Sequence, residues 1–195
     1  RHRRRQCRPA GLDRDAGALL LIQSDAPGAS RAEEVAAIVA ACEVTGAKEV
    51  VATDDPDEAE MFVQARRVHF TALEPRGAVL PEDVGVPVPQ LPALLAEIEA
   101  IGQRHGVEIP VVAHAGDGNT HPAIVYDATD ADSERRARLA FDDIMAAAIG
   151  LGGTLTGEHG VGRLQKGALE APAGPRVSDL HRPGTAPARP PGPLH

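Results

Sequence analysis

Four segments in the middle of the chain place hydrophobic residues at the three- and four-residue intervals of an α-helix. Typical start or stop residues flank most of them. We therefore predict four helices. The first helix begins at the Ser30–Glu33 capping box and stops at Gly46, and the second begins at Asp54-Asp55-Pro56. The third contains Leu91, Leu94, Leu95, Ile98 and Ile101, and the fourth covers Asp130 to Ile149.

Shorter apolar segments between these helices have the length and composition of strands. A glycine-rich turn joins two of them, Pro110–Ala113 and Ala123–Tyr126, and so short a connection favours antiparallel neighbours. The mixed order of helices and strands predicts an α+β domain with helices on one face of a mostly antiparallel sheet. The other predicted extended segments are Ala18–Gln23, Glu49–Thr53, the proline-broken Ala78–Val88 and Thr154–Thr156.

The two ends of the chain differ from its middle. Residues 1–15 are rich in arginine and aperiodic, and from about Glu170 the sequence is mostly proline, alanine, glycine and arginine. Such stretches bury too little apolar surface to offset the entropy lost on ordering. We expect a disordered or non-native leader over residues 1–16, one folded domain over 17–166 and a disordered Pro/Arg-rich tail over 167–195. One hypothesis for the ends is out-of-frame reading of a GC-rich gene.

Composition and charge narrow the classes of function. With a net charge of -8, one Tyr, three Phe and no Trp, the chain lacks the basic surface and the aromatic platforms typical of nucleic-acid binding. It contains no apolar run long enough to predict a transmembrane helix. Cys7 and Cys42 suggest no disulfide framework, which favours a reducing, cytoplasmic location.

Two glycine-rich segments contain the candidate chemistry. Residues 114–122 read HAGDGNTHP between two predicted strands, and residues 152–162 read GGTLTGEHGVG after the longest helix. Together they hold three of the eight histidines and a glutamate, among glycines that let a backbone approach a ligand closely. Two imidazoles and a carboxylate suit a borderline divalent metal and leave positions open for a substrate. Their joint occurrence favours a metal site.

Each of these residues also has a structural interpretation. Asp117-Gly118-Asn119 is typical of a hairpin turn, and for Asp117 and Gly118 that role is as good an interpretation as a functional one. His121 could cap a strand, and the second glycine-rich segment could be an ordinary loop. A single histidine is more often structural than a ligand, so the argument for a metal depends on the whole set.

The two glycine-rich segments resemble the most specific signatures of the FAD-linked oxidase C-terminal domain. This is the family of the glycolate oxidase FAD-linked subunit, D-lactate dehydrogenase and D-2-hydroxyglutarate dehydrogenase, whose pattern reads HAGDGNxHP and, after one helix, GGTxTGEHGVG. The similarity covers about residues 17 to 166. It implies a ferredoxin-like cap domain that supplies substrate and metal contacts to a flavin held by an FAD-binding domain or subunit.

The resemblance also implies roles for individual residues. His114, His121 and Glu158 match the residues that hold a divalent metal (zinc, manganese or iron) in the family. His159 matches the general base beside the flavin, which takes the hydroxyl proton while C2 passes a hydride to flavin N5. Asn119 matches a residue on the cofactor side of the site.

Arg66 lies where many members of the family place an arginine that pairs with the substrate carboxylate. A solvated charge on a helix surface is an equally good interpretation of this residue. Elsewhere the chain departs from the family pattern. It has no glycine-rich flavin-phosphate segment, it does not match the family after Gly162, and Phe70 and Pro81 stand where some members contact substrate.

The sequence therefore leads to one preferred function and two alternatives. The preferred one is the substrate- and metal-binding part of a flavin-dependent dehydrogenase that oxidises a 2-hydroxy acid, of the glycolate or D-lactate type, to the 2-oxo acid. Its FAD would be bound mainly by a domain absent from this chain, so we expect the chain alone to be inactive. The alternatives are a catalytically inactive remnant and a metal-dependent hydrolase, the latter weakened because no further acid or nucleophile cluster accompanies the ligands.

Overall fold

The computed structural model describes residues 13, 15–67 and 69–159. The chain divides into two compact units, a first unit over Arg1–Ala72 and a second unit over Leu73–His195. Most of the predicted leader, the whole predicted tail and residues 160–162 of the second glycine-rich segment lie outside the described residues. Among the residues that are described, no helix combines the length and the hydropathy needed to cross a lipid bilayer.

The first unit contains two of the predicted helices. Helix α1 covers Ala29–Val44 and α2 covers Pro56–Arg67, and the short α3, His69–Leu73, follows along the chain. The predicted capping box is wrong, because Ser30 already lies inside α1 and its Oγ donates to the carbonyl oxygen of Pro27 at 2.6 Å. The start of α2 is as predicted, since Oδ1 of Asp55 accepts the backbone N–H of Asp57 at 2.8 Å.

Neither predicted strand of the first unit forms. Ala18–Gln23 and Glu49–Thr53 have no ladder partner among the described residues, and Leu19 and Leu20 are 71% and 61% exposed. A stable strand needs a neighbouring strand to pair with and other elements to pack against, and the sequence of a short apolar run does not show that either is present. None of the described residues of the first unit is buried. The two predictions are wrong because they inferred pairing from composition alone.

A four-stranded antiparallel sheet organises the second unit. Strand β4 is its centre and pairs antiparallel with each of the other three strands. The register along β4 is unchanged from β1 to β2, so these two strands form one extended segment that is interrupted at Glu82-Asp83. The elements are β1 (Ala78–Pro81), β2 (Val84–Gly85), α4 (Leu91–His105), β3 (Val111–His114), β4 (Asn119–Tyr126) and α5 (Ala131–Gly150).

The predicted strand Thr154–Thr156 is reduced to one antiparallel bridge between Thr154 and Gly85. This bridge lies on the edge of β2 away from β4. When the bridge at Thr154 is counted as an edge strand, the order of strands and helices along the chain and across the sheet is that of a ferredoxin-like fold. The predicted α+β class, with helices against an antiparallel sheet, is confirmed.

Strand alternation separates two faces of the sheet. Ile124 lies with Val84 in the large core that the sheet forms with α4 and α5, to which the helices contribute Leu94 and Ile144. Each such fully buried aliphatic side chain contributes about 1.5–3 kcal/mol to stability. Neighbouring residues of a strand point to opposite faces. We call the other face, which carries Ala123 and Val125, the distal face.

Candidate metal and active site

Strand register gathers four polar side chains on the distal face, at one end of the sheet. The constant register of β1 and β2 along β4 sets Asp83 opposite His121. On the other edge of β4, His114 of β3 opposes Asn119. The rings of His114 and His121 consequently lie with centroids 5.3 Å apart at an interplanar angle of 90°.

The loop after α5 lies against this end of the sheet because it contains glycine at the points of closest approach. A Cβ on Gly153 would lie 2.1 Å from the carbonyl oxygen of Gly85, and a Cβ on Gly157 would lie 2.0 Å from Oδ1 of Asn119. Side chains at these two positions would push the loop away from the strands. The close contact brings the next residue, Glu158, to the two histidines.

The three predicted metal ligands converge. Nε2 of His114 is 3.5 Å and Nε2 of His121 is 3.3 Å from the same oxygen of Glu158, Oε1. Metal–ligand bonds of about 2.0–2.2 Å in a tetrahedral arrangement put neighbouring donor atoms roughly 3.3–3.5 Å apart. The donor atoms of the three residues all lie within 4.8 Å of one another. The residues present therefore fit a divalent metal.

Burial favours the metal-binding form of His121. Its side chain is 10% exposed, and this burial lowers the pKa of its imidazole more than the nearby Asp83 carboxylate raises it. The ring is thus neutral at neutral pH, and a neutral imidazole is the form that ligates metals. Glu158 is half exposed, so the site is open on the side of the loop.

His159 lies beside the three candidate ligands. Its ring stacks on that of His121, with centroids 5.1 Å apart and an interplanar angle of 22°, and its Nε2 is 3.6 Å from Oε1 of Glu158. Its side chain remains 66% exposed. A ring in this position can reach a molecule that is held at the three ligands.

Asp83, which the sequence patterns did not predict as a site residue, contacts the loop that carries Glu158 and His159. Its Oδ2 accepts hydrogen bonds from the backbone N–H groups of both residues and from Oγ1 of Thr156. Burial alone would raise the pKa of the Asp83 carboxyl, but these hydrogen bonds outweigh burial and the pKa is lowered. An acidic pair, Glu82-Asp83, inside an otherwise apolar extended segment was the signal that could have identified it.

Comparisons with known proteins identify the family of this chain. The family model described as FAD linked oxidases, C-terminal domain, matches residues 2–183. The chain belongs to this family. It is 35% identical over 161 residues to the glycolate oxidase subunit GlcD of Bacillus subtilis, and 32% identical over 158 residues to that of Escherichia coli K12. Over 109 residues it is 33% identical to a probable mitochondrial D-lactate dehydrogenase of Danio rerio.

The alignments of this member of the FAD-linked oxidase family cover about a fifth to a third of the length of these relatives. The alignment covers 82% of this chain but 34% of the Bacillus subtilis protein, and 79% of this chain but 31% of the Escherichia coli protein. For the Danio rerio protein the shares are 56% and 22%.

Asn119, the residue predicted on the cofactor side, borders a groove beside Glu158. The groove has a volume of about 420 Å³, and Gly85, Gly153 and Gly157 are among the residues that line it. Asn119 is 8% exposed, and its Oδ1 has no hydrogen-bond partner among the described residues. Its predicted contact with flavin stays a prediction.

Asp117 and Gly118 form the turn of the β3–β4 hairpin, in line with their structural interpretation. The backbone N–H groups of Asp117 and Gly118 both donate to the carbonyl oxygen of His114 at 3.0 Å. Gly118 has φ +75°, and a Cβ there would lie 2.0 Å from the carbonyl oxygen of Val86. The turn thereby holds the ends of the two strands that carry the histidines.

Arg66 belongs to the first unit, whereas the other five predicted site residues belong to the second. It lies in the last turn of α2 with an exposed side chain. Its role in binding a substrate carboxylate stays a prediction from the resemblance.

Proposed function

We propose that this chain is the substrate- and metal-binding part of a flavin-dependent dehydrogenase that oxidises a 2-hydroxy acid of the glycolate or D-lactate type to the 2-oxo acid. The observation that carries the proposal is the convergence of His114 and His121 on one oxygen of Glu158, at 3.5 and 3.3 Å. Relatives named for glycolate and for D-lactate support the substrate class. FAD would be bound mainly by a separate domain or subunit.

His114, His121 and Glu158 would hold zinc, manganese or iron. A bound cation of this kind supplies Lewis acidity, which lowers the pKa of a hydroxyl that coordinates it. Two histidines and one glutamate leave further coordination positions open. The carboxylate and hydroxyl of a 2-hydroxy acid can therefore bind on the exposed side of Glu158, with the buried ring of His121 behind them.

His159 would accept the hydroxyl proton of the substrate. Its exposed imidazole, held against the ring of His121, can form a hydrogen bond to a hydroxyl bound beside Glu158. Bound FAD would supply the acceptor for the hydride from C2, while His159 would hold the proton of the hydroxyl that becomes the carbonyl. Asn119 and the groove beside it offer a wall against which a flat ring system can lie.

Binding of D-lactate and glycolate to the purified chain tests the proposal. Isothermal titration calorimetry is done on the chain loaded with zinc, manganese or iron and on the same chain after removal of metal with a chelator. We expect binding of at least one of these acids to the loaded chain, and at least about tenfold weaker binding after metal removal, because the cation supplies the contacts to carboxylate and hydroxyl.

Two variants sharpen this measurement. His121→Ala is expected to abolish metal-dependent binding, whereas His105→Gln, a change to a histidine of α4 that pairs with Asp143, is expected to leave it intact. Equal binding of the acids with and without metal, or no binding by the metal-loaded chain, would contradict the proposed function.

A further inference from the structure

Asp83 lies where the extended segment β1–β2 is interrupted, opposite His121 on β4. Its side chain is 6% exposed and lies on the distal face, among the candidate ligands. A buried carboxylate is costly unless hydrogen bonds compensate for its lost hydration. The partners of this carboxylate therefore indicate what it does for the site.

One carboxylate oxygen of Asp83 holds the loop after α5. Oδ2 accepts the backbone N–H of Glu158 at 2.9 Å, the backbone N–H of His159 at 2.7 Å and the hydroxyl of Thr156 at 3.0 Å. The loop is rich in glycine, which loses more conformational entropy on ordering than any other residue. Three charge-assisted hydrogen bonds to one buried acceptor offset that loss and fix the backbone at Glu158 and His159.

The other carboxylate oxygen faces His121. Oδ1 of Asp83 is 3.6 Å from Nδ1 of His121, a close contact that is longer than a hydrogen bond, and both atoms are buried. A proton on Nδ1 directed at this carboxylate leaves the lone pair on Nε2, the nitrogen 3.3 Å from Glu158. Carboxylates commonly orient metal-binding histidines in this way.

We propose that Asp83 is a positioning residue that holds both parts of the metal site, His121 through Oδ1 and the Glu158–His159 loop through Oδ2. This inference rests on the proposed metal site and adds a residue to it. Asp83 also forms a group of possible metal donors with His121 and His159. Because its Oδ2 is already occupied by three donors, we assign it to positioning rather than to coordination.

Metal affinity tests this role. Dissociation constants for zinc and cobalt(II) are measured by competition with a chromogenic chelator for the wild-type chain, Asp83→Asn and His121→Ala. The amide of the asparagine keeps the size of the side chain but replaces one acceptor oxygen with a donor. Loss of a carboxylate that orients a ligand histidine lowers metal affinity by about 10- to 100-fold. We expect a loss of this size for Asp83→Asn and no measurable binding for His121→Ala.

Glu82→Gln is the matched control. Glu82 is the adjacent residue and is similarly buried, but it lies on the face toward α5, away from the loop. It should leave metal affinity unchanged. The visible absorption bands of the cobalt(II) form should shift in Asp83→Asn, because ligand orientation changes, and should stay the same in Glu82→Gln. Thr156→Val removes one hydrogen bond to Oδ2 and should weaken metal binding about 2- to 10-fold even if Asp83→Asn does not fold.

The possible failures are distinct from one another. If the wild-type chain binds metal and folded Asp83→Asn binds it equally well with an unchanged cobalt spectrum, the positioning role is wrong and the metal site stands. If Asp83→Asn loses metal as completely as His121→Ala, Asp83 is itself a ligand and the positioning role is again wrong. If the folded wild-type chain binds no metal, the proposed function itself fails.

Discussion

At the scale of single residues, the adjacent acids Glu82 and Asp83 have opposite environments because strand alternation points them to opposite faces. Asp83 lies among hydrogen-bond donors on the distal face and keeps its charge. Glu82 lies toward the helices, 3% exposed, and neither of its carboxylate oxygens has a hydrogen-bond partner among the described residues. Burial, together with the nearby Asp142, raises the pKa of Glu82 to about 9.

This difference predicts a pH dependence of stability. Glu82 is protonated in the folded chain at neutral pH but ionised in the unfolded chain, where its pKa is near 4.5. Its contribution to the free energy of unfolding is therefore complete below about pH 4.5 and is lost as the pH rises toward 9. The loss amounts to up to about 1.4 kcal/mol per pH unit within that range.

Urea unfolding of the wild-type chain and of Glu82→Gln, at intervals between pH 5.5 and pH 8.5, measures this contribution. We expect the wild type to lose stability relative to Glu82→Gln as the pH rises, because a glutamine does not ionise. Parallel pH profiles of the two proteins would show that Glu82 does not titrate as inferred.

At the scale of elements, local sequence patterns identify the helices and the sheet of the second unit, but they do not show whether a predicted strand has a neighbouring strand to pair with. Leu91, Leu94, Ile98 and Ile101 are buried in α4, as their spacing predicts. The apolar run Ala18–Gln23 shows the limit of such patterns, because a strand depends on a partner that its own residues do not specify.

The same limit explains which site residues the sequence analysis found. His114, His121, Glu158 and His159 stand in glycine-rich segments that are conspicuous along the chain, and the structure brings them together. Asp83 has only a weak local signal, the acidic pair Glu82-Asp83, because its hydrogen-bond partners on the loop are 73 to 76 positions away. Cross-strand register and loop contacts at that separation leave no local pattern.

The contact between the α5 loop and β2 predicts the effect of Gly153→Ala. The added Cβ would lie 2.1 Å from the carbonyl oxygen of Gly85 and 2.8 Å from that of Ala148, both backbone atoms that cannot yield easily. We expect a loss of stability of about 1–3 kcal/mol. Metal affinity should fall at least tenfold, about 1.4 kcal/mol in binding free energy, because Glu158 moves with the loop.

Gly150→Ala is the control within the same segment. Gly150 lies at the end of α5, and an added Cβ meets no atom within 4 Å. We expect this variant to keep its metal affinity and to gain up to about 1 kcal/mol of stability, since alanine favours the helix. Thermal unfolding and chelator competition on both variants separate the two cases, and equal effects would show that the close approach of Gly153 is unimportant.

At the scale of the whole molecule, the candidate metal site lies entirely within the second unit, on the distal face of a ferredoxin-like sheet. The large core with α4 and α5 supports the opposite face of that sheet. The strands thus carry His114 and His121 on the distal face, and the exposed loop supplies Glu158 and His159.

The metal content of the purified chain tests the central claim most directly. Elemental analysis by mass spectrometry is done on the wild type, His121→Ala and His159→Ala, after circular dichroism has shown that each is folded. We expect about one zinc, manganese or iron per wild-type chain, none in His121→Ala, and an unchanged content in His159→Ala, whose side chain is not one of the three proposed ligands. A folded wild-type chain without metal, or a His121→Ala chain that retains it, would contradict the account.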